Sequence, residues 1–363
     1  MWRESPEINY NTVYNAWKII DLNVKPDESV VILTSPDRNQ DWNNLLAFMV
    51  IQKGAQPIII QAIPHVVGRN IWKGTPPESG WQWTRENFLR DIDFHAYRTL
   101  PPSKVVSTAL ESADIVINNY SHGFGHGKRE GYVAKKGKTI LMPDVLGLRD
   151  PVRFTDEDIK LVEERVIKYG KMFDEAKTWK VITDGEVLIG KFAPGRKCMK
   201  LKYVLDEYTN IVHGQSGLSG EAMSSPMEGT GEGIFVINGA VGHIGNVKAP
   251  LKCTIEKGML VKVEPEDDEV AKMFLQLLNM GNDPNNKNLA EFSIGCNHLS
   301  RKSSPPAHTH EVKKSLGTVH IAFGGNIGFG GEKSAFIHID VCAFNPTVYL
   351  DDKIVVEKGK LLY

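Results

Sequence analysis

The residues of this chain best equipped for chemistry lie between Gly317 and Phe344, in GTVHIAFGGNIGFGGEKSAFIHIDVCAF. His320 stands inside a strand-like run, between Val319 and Ile321. His338 and Asp340 are two apart in FIHID, and the alternation of a β-strand puts both side chains on one face. An imidazole and a carboxylate held side by side on a rigid strand make a two-point clamp for a divalent metal. Five glycines between the histidines (324, 325, 328, 330 and 331) signal tight turns or close backbone approach beside that clamp. Acids and imidazoles in so apolar a setting are costly to bury unless they are paired or metal-bound.

Two upstream segments supply further carboxylates. Glu221 follows a glycine in SGEAMSSPMEGTGEG, and Glu291 sits in the apolar run LAEFSIG. Two Glu, two His and one Asp are a donor set for one divalent ion, or for two that share a bridging carboxylate. A second group of candidates is His122 and His126, in the loop SHGFGHG that follows the strand-like ADIVINN. Open α/β sheets bind ligands beyond the carboxyl ends of their strands, so these histidines are placed for acid–base or substrate contacts. His298, His308 and His310, in GCNHLSRKSSPPAHTHE, are candidates for proton delivery, although a polar surface loop is the simpler reading. No dinucleotide or P-loop glycine fingerprint is present, so no organic cofactor is expected.

In this order the residues resemble the family of metalloaminopeptidases that includes aminopeptidase T and aminopeptidase S. The match consists of Glu221 with Pro226 five residues on, Glu232-Gly233, Glu291 ahead of a glycine, His320 in HIAFG, and the strand carrying His338 and Asp340. The resemblance implies that Glu221, Glu291, His320, His338 and Asp340 ligate divalent ions (zinc, manganese or cobalt). It also implies hydrolysis of an amide bond in a small-molecule or short-peptide substrate, with a homodimeric assembly. Glu221 is then the candidate general base. One family position differs: a tyrosine is expected shortly after the first histidine, and this chain has GGNIGFGG, where Phe329 carries no hydroxyl. A second relative on the same scaffold is 2,5-dihydroxypyridine dioxygenase, in which a His stands at the position of Glu291, ahead of the same His-x-Asp pair. That resemblance implies ring cleavage at a single Fe(II) as the alternative activity. A third reading, from a different class, is a binding protein with a structural metal in a closed shell.

The elements that must position these residues follow from the pattern of the whole chain. Helix-like spacing over Tyr10–Leu22, the β-branched run SVVILT at 29–34, a helix over Asp41–Lys53 ended by Gly54, and the runs PIIIQ, ADIVIN and KTILM predict alternating helix and strand. Such alternation predicts an open α/β sheet. Between them the aromatic, turn-rich stretch 64–102 reads as a lid or a docked surface loop. Thr155 followed by Asp156, Glu157 and Asp158 opens a connecting helix that runs to Glu175. Beyond it the texture changes to short strands and glycine turns, beginning with the hairpin KVITDGEVLIGKF around Asp184-Gly185. The expectation is an N-terminal α/β domain over 1–175 and a C-terminal α+β domain over 176–363, mostly antiparallel and carrying the metal.

Composition narrows the partners. The 363 residues carry 43 Lys+Arg against 44 Asp+Glu, a net charge of -1 that argues against bulk attraction to nucleic acid. The four cysteines form no CxxC pair, and no run approaches the roughly 20 apolar residues that span a bilayer. The first residues, MWRESPEINYN, are charged where a leader would be apolar. These features predict a cytoplasmic protein with reduced thiols.

Overall fold

The computed structural model describes residues 8, 10–36, 38–62, 104–119, 138–141, 154–206, 211–213, 219–242, 244–300 and 312–363. The chain opens with α1 (Tyr10–Asn23), β1 (Ser29–Thr34), α2 (Gln40–Gln52), β2 (Gln56–Gln61), α3 (Lys104–Ser112), β3 (Ile115–Asn119) and β4 (Thr139–Leu141). All of these strands pair in parallel, in the order β2-β1-β3-β4. β1 explains why the run SVVILT carries no polar alternation. Its Val30 and Ile32 pack with Ile19, Ile20, Leu46 and Val50 of α1 and α2, while Val31 and Leu33 pack with Leu110 of α3 and Val116. A strand covered on both faces must be apolar at every position. The segment 64–102 and the loop with His122 and His126 lie outside the described residues, as do His308 and His310.

α4 (Asp156–Glu175) begins at the capping box expected from its sequence: the Thr155 hydroxyl accepts from the Asp158 amide, and the Asp158 carboxylate accepts from the Thr155 amide. After it come β5 (Thr178–Thr183), β6 (Glu186–Lys191), β7 (Met199–Leu201) and β8 (Ile211–His213). β5 and β6 form the Asp184-Gly185 hairpin. β8 returns to the first sheet and pairs in parallel with β4, so that sheet draws its fifth strand from beyond residue 175. The remaining strands are β9 (Glu221–Ser224), β10 (Glu232–Ile237), β11 (Ala240–Val241), β12 (Gly245–Asn246), β13 (Leu251–Glu256), β14 (Met259–Glu264), β15 (Leu289–Gly295), β16 (Val319–Gly324), β17 (His338–Ala343), β18 (Thr347–Leu350), β19 (Lys353–Glu357) and β20 (Lys360–Leu361). α5 (Glu269–Leu278) interrupts them, capped by Asp268.

Two antiparallel sheets result, ordered β14-β13-β10-β6-β5-β18-β19-β20 and β12-β11-β17-β16-β15-β9-β7. Aromatic rings lock them together. Phe292 of β15 stacks on Trp179 of β5 at 4.4 Å between ring centroids, with Phe173 of α4 at 5.7 Å. The Tyr169 hydroxyl of α4 donates to the Val355 carbonyl of β19 at 2.9 Å. α4 is thus packed on the antiparallel sheets as much as it connects to them. The α/β architecture expected from sequence is present, a parallel sheet joined to a mostly antiparallel α+β region. Among the described residues no helix is long and apolar enough to cross a membrane.

Candidate metal centre

The third sheet separates its two faces by chemistry. Residues directly opposite one another in an antiparallel ladder point to the same side. The register pairs Glu221 with Gly295, Ser293 with His320, His320 with Cys342, Ala322 with both Glu291 and Asp340, and Gly324 with His338. Glu221, Glu291, His320, His338 and Asp340 therefore share one face, and the residues between them are mostly small. That face has room for converging side chains. The other face, with Ala222, Phe292, Ile294, Ile321, Phe323, Ile339 and Val341, is buried and apolar. A register shift between Leu289 and Glu291 interrupts the ladder where the central carboxylate leaves it.

Glu291 is the hub. Its Oε1 stands 2.7 Å from His320 Nε2, and its Oε2 stands 3.0 Å from His338 Nε2. His338 Nε2 is also 3.3 Å from Asp340 Oδ1, and His320 Nε2 is 3.7 Å from Glu221 Oε2. Two groups of potential ligands overlap at Glu291: Glu221, Glu291 and His320, and Glu291, His338 and Asp340. All five sequence-selected ligands are thus brought together. Access differs between the two ends. The side chains of Glu221 and His320 are fully buried, whereas His338 and Asp340 keep 7% and 8% exposure, so the second group is the one nearer solvent.

His338 is oriented by the backbone. Its Nδ1 lies 2.8 Å from the Gly325 carbonyl, which can only accept. The proton on Nδ1 is therefore fixed, and in the neutral ring Nε2 carries the lone pair. Protonated, Nε2 donates toward the carboxylate oxygens of Glu291 and Asp340; deprotonated, it offers its lone pair to the space they share. Gly324 makes this turn possible: its φ is +122°, and a Cβ there would stand 2.0 Å from the Ile337 carbonyl. The turn is braced from behind by Asn326, whose amide donates to Ser225 Oγ at 2.8 Å and Glu228 Oε1 at 2.7 Å. Glu228 in turn pairs with Arg196 at 3.0 Å. Glu232 of the family motif is elsewhere, accepting from the Lys257 amide.

The sequence reading missed two lysines. Lys313 Nζ is 2.9 Å from Asp340 Oδ2, and Lys314 Nζ bonds Glu221 Oε1, with both partners of the second pair fully buried. Their segment crosses the sheet directly over Gly295, where a Cβ would come within 2.2 Å of the Ser315 carbonyl. In sequence KK between polar loops reads as a solvated surface. The available signal was imbalance: three acids on apolar strands, with the lysine pair of EVKKSLG immediately ahead of the His320 strand. Ser293, whose hydroxyl donates to Glu221 Oε2 at 3.3 Å, was also missed. His298 is held on α4, with Nε2 2.8 Å from Asp158 and Nδ1 3.0 Å from Arg165.

The charges fit a cation. Burial works against ionising Glu291, but the His320 and Lys313 charges and both imidazole hydrogen bonds outweigh it and hold the carboxyl well below its usual range. Asp340 is held down likewise, by Lys313 and His338 against burial. Burial pulls His338 down, yet the carboxylates of Asp340 and Glu291 beside it push it up to about 9. For Lys313 the charges of Asp340, Glu221 and Glu291 overcome burial and raise the amine. For Lys314 burial, reinforced by Lys313, wins over Glu221 and lowers it. Asp340 Oδ1 is buried without a hydrogen-bond partner, as is His320 Nδ1. Ligands on an ion with bonds of about 2.1 Å stand about 3 Å apart at right angles. The 3.0 and 3.3 Å separations from His338 Nε2 match that spacing. A divalent metal fits Glu291, His338 and Asp340, and it would satisfy the orphaned oxygen.

Comparison with known proteins bears on what such a centre does. A family model described as 2,5-dihydroxypyridine 5,6-dioxygenase (NicX) matches residues 18–363. No curated protein sequence matches the chain. Among solved structures, 2,5-dihydroxypyridine dioxygenase from Pseudomonas putida KT2440 is similar with a TM-score of 0.74 and 17% identity, over 98% of each chain. AmpT from Thermus thermophilus is similar with a TM-score of 0.63 and 15% identity, over 97% of this chain and 99% of that one. At these identities the two structures establish the shared fold. The aminopeptidase expectation thus rests on the weaker neighbour, and the dioxygenase alternative is the better supported.

Proposed function

Since the chain belongs to the 2,5-dihydroxypyridine 5,6-dioxygenase family, we propose that it is a metal-dependent dioxygenase that opens a hydroxylated aromatic ring. The observation that carries the reading is the Glu291–His338–Asp340 group: two buried carboxylates and a half-buried imidazole converging, with Asp340 Oδ1 lacking a hydrogen-bond partner, at the end of the cluster nearer solvent. Glu291, His338 and Asp340 are the proposed ligands of one divalent ion. When bound, such an ion supplies Lewis acidity and open coordination positions for a hydroxylated ring and dioxygen.

The chain's own residues do the rest. The Gly325 carbonyl holds the proton on His338 Nδ1 and so directs Nε2 inward. Lys313 occupies Asp340 Oδ2 and leaves Oδ1 to face the centre. His320 holds Glu291 from the sealed side. Phe329 packs against His338 with 5.1 Å between ring centroids and belongs to an apolar cluster with Leu201 and Met223. That wall suits a flat aromatic substrate and excludes water better than the tyrosine of the aminopeptidase pattern would. His122 and His126, which follow β3 in sequence, remain candidates for substrate or acid–base contacts. The expected partners are a small-molecule substrate and a second copy of the chain, with no nucleic acid.

Elemental analysis of the purified protein, then oxygen uptake with 2,5-dihydroxypyridine and related dihydroxylated rings, tests the reading. About one iron per chain and O2 consumption matching ring loss are expected. Amide hydrolysis without oxygen uptake would overturn it in favour of the hydrolase. One observation keeps that second reading alive: Glu221, Glu291 and His320 form another three-donor group sharing Glu291, the layout a two-ion hydrolase needs.

A further inference from the structure

Five donors arranged as two overlapping groups are a frame for two ions, yet the frame already contains a cation. Lys314 Nζ lies against Glu221 Oε1, and neither side chain has any exposure. The other oxygen of Glu221 accepts from Ser293 at 3.3 Å. Both oxygens of the outer carboxylate of the Glu221–Glu291–His320 group are thus engaged by protein. The second group is built the opposite way. Lys313 takes only Asp340 Oδ2, and Oδ1 has no hydrogen-bond partner.

We propose that Lys314 is a resident cation of this centre: its Nζ takes the place at Glu221 that a second metal ion would need, and so keeps a second ion out. The inference rests on the one-ion reading above and names the residue that enforces it. The main chain that carries Lys314 is pinned. The Lys314 carbonyl accepts from the Asn297 amide at 3.0 Å, the Ser315 amide bonds the Val312 carbonyl at 3.1 Å, and the Gly317 amide bonds the Gly295 carbonyl at 2.9 Å. The backbone is fixed on both sides of the lysine. Charge points the same way. With the two imidazoles neutral, Glu221, Glu291 and Asp340 supply three negative charges, and the Lys313 and Lys314 ammonium groups answer two of them. One divalent ion then leaves the cluster one charge positive, which a single anionic substrate oxygen neutralises. Two ions would leave three buried positive charges, each costly without a partner. Removing Lys314 reverses the situation: Glu221 becomes a buried carboxylate with no counter-ion, 3.7 Å from His320 Nε2 and in a three-donor group with Glu291.

The test counts metal on the full chain, stripped with chelator and titrated with Mn(II), with bound ion measured after desalting and by electron paramagnetic resonance. Wild type is expected to take one ion per chain with an uncoupled spectrum. Lys314→Met is expected to take two, with a spin-coupled spectrum and a melting temperature that recovers on metal addition. The double variant Lys314→Met/Glu221→Gln removes both partners and is expected to fold and hold one. If Lys314→Met folds only with metal, or fails to fold while the double variant folds with one ion, Glu221 is shown to need a cation that Lys314 supplies. Two ions on wild type, one ion on folded Lys314→Met, or loss of the ion in the folded double variant would each overturn the inference. No ion on wild type would instead sink the metal reading itself.

Discussion

Replacing Glu291 by Gln changes one buried oxygen to an amide nitrogen and removes one charge, with almost no change of shape. Glu291 is fully buried and accepts from His320 at 2.7 Å and from His338 at 3.0 Å. Hydrogen bonds to a charged group contribute about 1.5–3 kcal/mol each, and neutral ones about 1 kcal/mol. The glutamine keeps one acceptor, so one imidazole bond survives at its neutral strength. The other imidazole meets an amide NH2. One charged bond is lost and one weakened, about 2–5 kcal/mol in all, which relief from burying a charge offsets in part. A net loss of about 2–3 kcal/mol in the metal-free protein at pH 7 follows. The sign with pH is fixed by the carboxyl being held well below its usual 4.5. Its contribution is complete above that value and disappears as pH falls through the lower folded pKa, so wild type and variant should converge in strong acid. Metal affinity should fall by more than the 10- to 100-fold typical of groups behind the ligands. Urea unfolding of the stripped proteins and calorimetric metal titration measure both. An unchanged midpoint together with wild-type affinity would refute the placement of Glu291 at the hub.

Three further perturbations probe the scaffold. Gly324→Ala puts a Cβ against the Ile337 carbonyl at positive φ; a loss of more than about 2 kcal/mol and weakened metal binding are expected, read by thermal melts and titration. Tyr169→Phe removes the acceptor of the Leu362 and Tyr363 amides and the donor to Val355, costing about 1–3 kcal/mol; hydrogen exchange should show those two amides losing protection. Thr155→Ala opens the capping box of α4 and should cost about 1 kcal/mol at pH 7. Burial opposes ionisation of Asp158, but its bonds from Thr155 and to His298 hold it below 3.8. The box is therefore complete at neutral pH and weakens as pH drops through that lowered value, and the gap between wild type and Thr155→Ala in urea melts should narrow there.

Much of this fold could be read along the chain because its signals are local. The β-branched run of β1, the Thr155 cap, the Asp184-Gly185 turn and the alternation of FIHID each depend on neighbours a few residues away, where backbone sterics and short-range hydrogen bonds act. The five acids and imidazoles were legible for the same reason, as polar residues on apolar strands that needed a common partner. Lys313 and Lys314 were not, because nothing within their own segment buries them. They become part of the centre only when β9, β15 and β17 align side by side and Gly295 lets the lysine segment cross the sheet. The register of strands far apart in sequence also set which carboxylate became the hub and which end of the cluster stayed near solvent. Residue types and spacing determined that acids and imidazoles share one strand face of this sheet. Long-range pairing decided how much of the answering charge the protein supplies itself, since electrostatic partnership follows distance in space and leaves no trace in sequence separation.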